Sequence, residues 1–374
     1  MTHVPPPSTG AHSTPSDVEE LGGKLATYSD RELLSYFIEA PRSSFRGAFH
    51  AIAETTASPA FRAWEVAEAS AAALEASARE LGNVSTMLTE AVHAAAFYDD
   101  STLGRTRFLP EWNAGNISHE VATAFREAAL HGDNVVVSAS GVEHDELVAA
   151  AESYFAGIAA GKGPATPAAT YVGGEERIRG SGSQTHTVVA LGGPGYGSSD
   201  FAATQVLSAI LGGRGGDFIK YPGSGVQSRL ASHVTDKVDG VLRARPFLTA
   251  HADASLIGVY TLTTGDAAGD AADAVARALV SLGSKPATDE EVKRAVAQIK
   301  VGVAGPASVE VAAANVLNHG SVRSAADKMA VLDKVTAADV ARVAKAALAT
   351  RPTLVSAGAL KHVPRLDNYL KHFA

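Results

Sequence analysis

The sequence contains no cysteine, which removes disulfide frameworks and cysteine-based zinc sites and leaves the redox compartment open. None of its 13 histidines falls in a His-x-x-Glu-His or His-Glu-x-x-His arrangement, so the helix face that holds a hydrolytic zinc is missing. The Gly-x-Ser-x-Gly turn that presents a serine nucleophile is absent, as is the Gly-x-x-x-x-Gly-Lys-Ser/Thr phosphate cradle, and a dinucleotide fingerprint matches poorly. No cofactor is therefore expected. Lys and Arg are scattered singly in a chain of net charge -8, leaving no basic stripe for phosphates and making nucleic acid an excluded partner. No apolar run approaches the roughly 20 residues of a membrane helix, so membrane association is expected only through other subunits. Before Lys24 there is no Lys or Arg and no apolar segment. That is neither a secretory signal nor an intact Arg-rich presequence, so import into an organelle implies a removed or unconventional signal.

What is present is a duplication. Ser118-His119-Glu120-Val121-Ala122 leads to Ala128-Ala129-Leu130 and then to the β-branched run from Asn134 to Gly141. About 218 residues later, Thr336-Ala337-Ala338-Asp339-Val340 leads to Ala346-Ala347-Leu348 and a second run from Pro352 to Gly358. Each copy reads as a capping hydroxyl, an apolar helix and a short strand. The period is too long for a solenoid and signals a duplicated domain, in keeping with a 374-residue chain. Hydrophobic residues reach 46% while aromatics are only 6%, because Ala dominates; the helices are expected to pack closely through small faces.

Residues 1–15 read as an irregular arm, followed by a helix from Pro15 to Gly22. Strands at Leu25–Tyr28 and Leu33–Ala40 form a hairpin, and helices follow at 45–56, 60–80, 87–96 and 143–159. Residues 157–182, rich in Gly, Pro, Ala and Thr, contain the expected linker at 161–182. Beyond it come a strand at 186–191, a helix at 201–211, a glycine-rich loop at 212–225, a helix at 224–234 and a hairpin of strands at 241–249 and 256–264. A long Ala-rich helix ends near Leu282, and Thr288-Asp289-Glu290-Glu291 forms a capping box. The expected fold is α+β: two homologous domains, 16–160 and 183–374, each a mainly antiparallel sheet packed with helices.

Side chains that could carry chemistry have plain structural readings. His144 lies in an acidic helix start, and His119 and His131 sit at the ends of one helix, twelve residues apart. Ser138 and Ser140 read as strand or turn residues. Arg62, Glu65, Glu68, Glu75 and Arg79 read as a solvated helix face. The glycine-rich region is the local oddity, with Gly192-Gly193-Pro194-Gly195-Tyr196-Gly197 followed by Gly212-Gly213-Arg214-Gly215-Gly216. Such a stretch is mobile unless something orders it. It reads as a plain loop, a peptide or partner contact, or a small-molecule site.

Several segments carry a family resemblance. Leu21-Gly22-Gly23-Lys24-Leu25 with Ser29-Asp30-Arg31-Glu32 resembles the segment after the metal helix in the mitochondrial processing peptidase superfamily. Thr55 to Val66, Val92-His93-Ala94-Ala95-Ala96-Phe97 and Tyr171-Val172-Gly173-Gly174-Glu175 resemble the core protein 2 family of respiratory complex III, over nearly the whole chain from Val18. The resemblance implies a catalytically silent subunit on the matrix side of the inner mitochondrial membrane. Its implied partners are a core protein 1-like subunit, cytochrome b, cytochrome c1 and the Rieske protein. It also implies that the opening strands and zinc-motif helix of the first domain lie before Leu21 and are lacking here, leaving an edge for an extra subunit to cover. The third-ligand position of active relatives falls at Ala76, beside Glu75, so no metal role transfers. Around Gly212, Gly213, Gly215, Gly216 and Arg229 the chain is similar to the glycine-rich, presequence-engaging loop of the processing peptidase α subunit. These residues are the candidate peptide or partner contacts, and that α subunit role is the alternative function.

Overall fold

The computed structural model describes residues 13–98, 103–163, 165–212, 228–305 and 308–373. In chain order its elements are α1 (Ser13–Glu20), β1 (Lys24–Ser29), β2 (Leu34–Glu39), α2 (Phe45–Ala57), α3 (Ala63–Leu81), α4 (Val84–Phe97), α5 (Glu111–Ala114), α6 (His119–Ala129), α7 (His144–Tyr154), β3 (Glu175–Arg179), β4 (Gln184–Pro194), α8 (Phe201–Gly212), β5 (Val241–Ala250), β6 (Ala254–Thr264), α9 (Ala268–Ser284), α10 (Asp289–Val303), α11 (Val309–His319), α12 (Ala325–Asp333), α13 (Ala337–Leu348), β7 (Thr353–Gly358) and α14 (Leu366–Tyr369). The fold is α+β, as expected. Its contacts divide it into two compact units that interleave along the chain: residues 1–81, 107–166 and 307–322, and residues 82–106, 167–306 and 323–374.

The second unit is built on a five-stranded sheet in the order β3-β7-β4-β6-β5. Only β3 and β7 run parallel; the other ladders are antiparallel. Both faces are covered, which is why its central strands read as continuous apolar runs and still obey a period of two. Val189, Leu191, Ile257, Val259 and Leu354 point into one core, made with α8, α9, α10 and α13. Val188, Ala190, Leu256, Val355 and Ala357 point into the other, closed by Leu88, Val92, Ala96 and Phe97 of α4. Alanine lets the helices lie close: eight residues of α9 at or below 1% exposure include Ala268, Ala271, Ala272, Ala274, Ala276 and Ala278.

The first unit has a smaller core. Among the described residues its sheet is the β1–β2 hairpin alone, and α2 packs on α1, α7 and β2. Val18, Ala48, Phe49, Ala51, Ala53 and Val66 are its buried apolar residues, with the Phe49 ring between Tyr154 and Phe155. Arg126 ties α6 to the end of α2 through the carbonyls of Thr56 and Ala57.

Four sequence expectations change. Among the described residues the β-branched run at 134–141 forms no ladder: a 3-10 turn covers Gly132–Asn134, Val135 is extended, and residues 135–139 belong to no paired strand. Its counterpart at 353–358 becomes β7 because strands lie on both sides of it, so the difference is one of partners and not of propensity. Residues 175–179, expected within the linker, form the edge strand β3. The helix expected at 224–234 is reduced to a π turn at Ala231–Thr235, and 224–227 lie outside the described residues. The arm is shorter than expected, because α1 already begins at Ser13; residues 1–12 lie outside the described residues.

Candidate functional site

The glycine-rich segment leaves the end of α8, whose sequence is apolar almost all round and whose residues from Val206 to Gly212 are mostly buried against the sheet, α10 and α13. Gly212 is the buried last residue of that helix. Gly213, Gly215 and Gly216 lie outside the described residues. On the far side the chain is fixed at Arg229. Its Nε and Nη2 donate to the two oxygens of Glu291 at 3.1 and 3.0 Å. Nη1 donates to the carbonyls of Ser281 (2.8 Å) and Lys285 (2.6 Å), and Nη2 also to Pro286 (3.3 Å). All five N–H groups of the guanidinium are thereby engaged inside the unit. Arg229, a candidate peptide contact from the sequence, is in this fold a pin that closes the C-terminal end of α9 and the start of α10, where orphan carbonyls need donors.

The Glu291 carboxylate is held there by a second device. Thr288 Oγ1 accepts from the Glu291 N–H at 3.2 Å while the Thr288 N–H donates to Glu291 Oε2 at 2.9 Å, the capping box read from the sequence. The hydrogen bonds from Arg229, above all, hold the Glu291 carboxyl below its ordinary range. Both flanks of the glycine-rich segment are therefore anchored on one rigid core, Gly212 by burial and Arg229 by charge-assisted bonds.

A second polar feature carries no local sequence signal. His93 on α4 and His251 in the β5–β6 turn are 2% and 8% exposed, with their Nε2 atoms 3.0 Å apart. The His93 Nδ1 lies 2.7 Å from the Thr89 carbonyl, which can only accept. The proton of His93 is thus on Nδ1, and its Nε2 accepts from the Nε2–H of His251. The pair clips α4 to the sheet. Beside it, the Ala96 carbonyl accepts from both Val172 and Gly173 at 2.8 and 3.1 Å. A Cβ on Gly173, whose φ is +73°, would meet the Arg351 carbonyl oxygen at 2.2 Å, and one on Gly174 would meet that of Ala95 at 2.8 Å. The tyrosine before them, Tyr171, bonds the Ala190 carbonyl and Thr353; burial pushes its hydroxyl up to about 12.

The remaining candidates take structural roles. His144 is the first residue of α7, His119 the first of α6, and His131 precedes a 3-10 turn with its backbone N–H donating to Asn134 Oδ1 at 2.9 Å. Ser138 and Ser140 follow the unpaired valines, and Glu75–Arg79 is an exposed pair at 3.5 Å. Glu65 departs from the solvated face: it is 8% exposed and accepts from the Arg62 backbone N–H at 3.3 Å, closing the start of α3. Among the described residues, no three His, Asp or Glu side chains converge as a metal-binding group.

Comparison with known proteins places this geometry. Residues 11–111 match the family model described as insulinase, peptidase family M16, and residues 116–299 the model described as the peptidase M16 inactive domain. The chain is 26% identical over 363 residues to an Arabidopsis thaliana protein named probable mitochondrial-processing peptidase subunit alpha-1, covering 96% of this chain and 72% of that one. It is also 26% identical over 355 residues to human cytochrome b-c1 complex subunit 2, covering 94% and 77%. A chain of complex III2 from Candida albicans, solved with Inz-5 bound, shares the fold with a TM-score of 0.83 at 19% identity, over 96% of this chain and 88% of that one. With M16 models matching both halves and the two-unit α+β fold of a processing-peptidase relative, the chain belongs to the insulinase-like M16 peptidase family.

Proposed function

We propose that the chain is a non-catalytic structural subunit of respiratory complex III, related to core protein 2, on the matrix side of the inner mitochondrial membrane. The observation that carries this reading is the similarity to human cytochrome b-c1 complex subunit 2 along 94% of the chain. The match of residues 116–299 to the inactive-domain model supports it, as does a sequence without the zinc-helix motif. Its work in the complex is packing: one surface against a core protein 1-like subunit, another beneath the membrane subunits cytochrome b, cytochrome c1 and the Rieske protein. No helix among the described residues is long and apolar enough to cross a membrane, so attachment runs through those partners. In this reading residues 16–160 and 183–374 are the two homologous domains, joined at 161–182.

The test is a native gel of mitochondrial membranes solubilised in mild detergent. Co-migration of the chain with the cytochrome haem is expected; migration as a haem-free heterodimer would overturn the assignment. A second reading, a presequence-binding α subunit of the processing peptidase, is favoured by the Arabidopsis relative and by the anchored flanks of the glycine-rich segment. Deleting residues 213–216 separates the two while sparing Gly212, the buried end of α8. Loss of presequence cleavage with the complex still assembled supports the peptidase role, and unchanged cleavage removes it.

A further inference from the structure

The central strand of the five-stranded sheet outruns one of its neighbours. β4 pairs with β6 along its whole length, to Pro194 opposite Ala254, but its ladder with β7 stops at Ala190 opposite Thr353. From Gly192 to Pro194 the strand therefore keeps an open edge on the β7 side. The Gly192 N–H points that way, donating to Thr350 Oγ1 at 3.2 Å. The N–H and C=O of one strand residue face the same side, and the side alternates along the strand. The carbonyls of Gly192 and Pro194 thus face the open edge too, and among the described residues no backbone N–H from outside the strands reaches either one.

A hollow of about 340 Å³ lies on this edge, walled by the C-terminal half of α13. Its polar groups are one-sided. The Thr350 hydroxyl donates to the Ala347 carbonyl at 2.6 Å. The Tyr171 hydroxyl bonds the Ala190 carbonyl at 3.1 Å and Thr353 Oγ1 at 2.9 Å; its single O–H goes to the carbonyl, which can only accept. Pro194 has no N–H at all. What remains is acceptors: the two edge carbonyls and the carboxylate of Asp200, which also lines the hollow. Ala346 and Ala347, in the last turn of α13, add the negative end of a helix dipole. No Lys, Arg or His lines the space. Asp200 already accepts from Arg342, Oδ1 from Nη2 at 2.9 Å and Oδ2 from Nη1. Asp339 shares the same guanidinium at 3.3 Å, so two carboxylates face one cation and the rim keeps a net negative charge.

We propose that this hollow takes the side chain of an arginine from a partner polypeptide. The methylene stem lies along Val343 and Ala346, and the guanidinium sits against the Tyr171 ring. Its N–H groups donate to the carbonyls of Gly192 and Pro194 and to the lone pairs of Asp200 that Arg342 leaves open. Arginine is preferred over lysine because a planar fork of donors can meet acceptors two residues apart on a strand edge, which a compact ammonium cannot. Every residue of the site belongs to the second unit, and the inference holds whichever assembly the chain serves.

The experiment titrates the full chain into a fluorescently labelled acetyl-Ala-Val-Arg-Val-Ala-amide peptide, read by anisotropy, beside the same peptide with citrulline, which keeps the shape of arginine without its charge. The arginine peptide binds roughly tenfold or more tighter. Asp200→Asn reduces that preference about fivefold or more, while Arg342→Gln frees the carboxylate and tightens the arginine peptide about threefold or more. Ala346→Trp, at an exposed position of α13, fills the hollow, leaves the urea midpoint near that of the wild-type chain and abolishes binding. Equal behaviour of the two peptides, including no binding of either, would overturn the proposal. So would an arginine preference that survives Ala346→Trp, or weaker binding in Arg342→Gln.

Discussion

Arg229 and Glu291 meet as two parallel N–H···O bonds, 3.1 Å from Nε and 3.0 Å from Nη2, across the junction of α9 and α10. Side-chain exposure is 12% and 19%, so solvent screens the pair weakly and the geometry is bidentate. Arg229→Ala removes donors from three carbonyls and leaves a carboxylate without its cation, which costs about 2–4 kcal/mol. Arg229→Lys does not restore stability, because an ammonium cannot reproduce the planar fork. Urea denaturation of both variants checks this; a change under about 0.5 kcal/mol, the range of an ordinary surface substitution, would show that the pin is dispensable.

The same pair sets a pH dependence. Glu291 has a folded-state value lowered from its ordinary 4.5, chiefly by the Arg229 hydrogen bonds. A carboxyl lowered in the folded state contributes stability that is fully present above its unfolded value and is lost as the pH falls through the folded one. The urea midpoint of the wild-type chain should therefore hold near neutrality and fall below about pH 4.5. Asp200, lowered by Arg342, and Asp339, lowered by Thr336, act in the same direction. Glu291→Gln flattens the profile at acid pH while lowering stability at pH 7. An unchanged acid slope would place the dependence in other groups.

The His93–His251 bond predicts coupling between residues 158 positions apart. Replacing either histidine by Ala opens a cavity at the α4–sheet contact and removes one end of a buried hydrogen bond, costing about 2–3 kcal/mol. Since the two changes remove one shared interaction, the double variant should be less destabilised than the sum by about 0.5–1.5 kcal/mol. Strict additivity in thermal unfolding would show that the rings act independently.

What the sequence disclosed and what it concealed separate along physical lines. Hairpins and helix starts were legible because their causes are local: β-branched alternation in β6, and a Thr and a Glu three apart at α10. The valines at 135–137 carry the same local signal as β7, yet a strand exists only where another strand pairs with it, and no pattern within seven residues encodes that. β3 was hidden for the opposite reason. Its sequence Glu-Glu-Arg-Ile-Arg is charged because it is an edge strand, and Arg177 bonds the carbonyls of Leu360 and Pro364 at 2.9 and 3.1 Å instead of water. At the candidate site the glycines flagged a segment correctly as unusual in composition. The five-donor engagement of Arg229 and the contact of His93 with His251 depend on tertiary neighbours, so residue type alone disclosed neither.

Gly173 offers the sharpest steric test. Its φ of +73° lies in the left-handed region, which costs a residue with a Cβ about 1 kcal/mol or more. A Cβ there would also sit 2.2 Å from the Arg351 carbonyl oxygen, a backbone atom just before β7 that cannot move without disturbing the central ladder. The same peptide donates to the Ala96 carbonyl, so any shift loosens α4 from the face it covers. Gly173→Ala should therefore cost about 2–4 kcal/mol, well above the effect of Ala at Gly141, whose φ is also positive but around which a Cβ meets nothing. Thermal unfolding of the two variants side by side separates backbone strain, which both share, from the collision, which only Gly173 has. Equal losses would mean that the Arg351 segment yields freely and that the Gly173-Gly174 pair serves conformation alone.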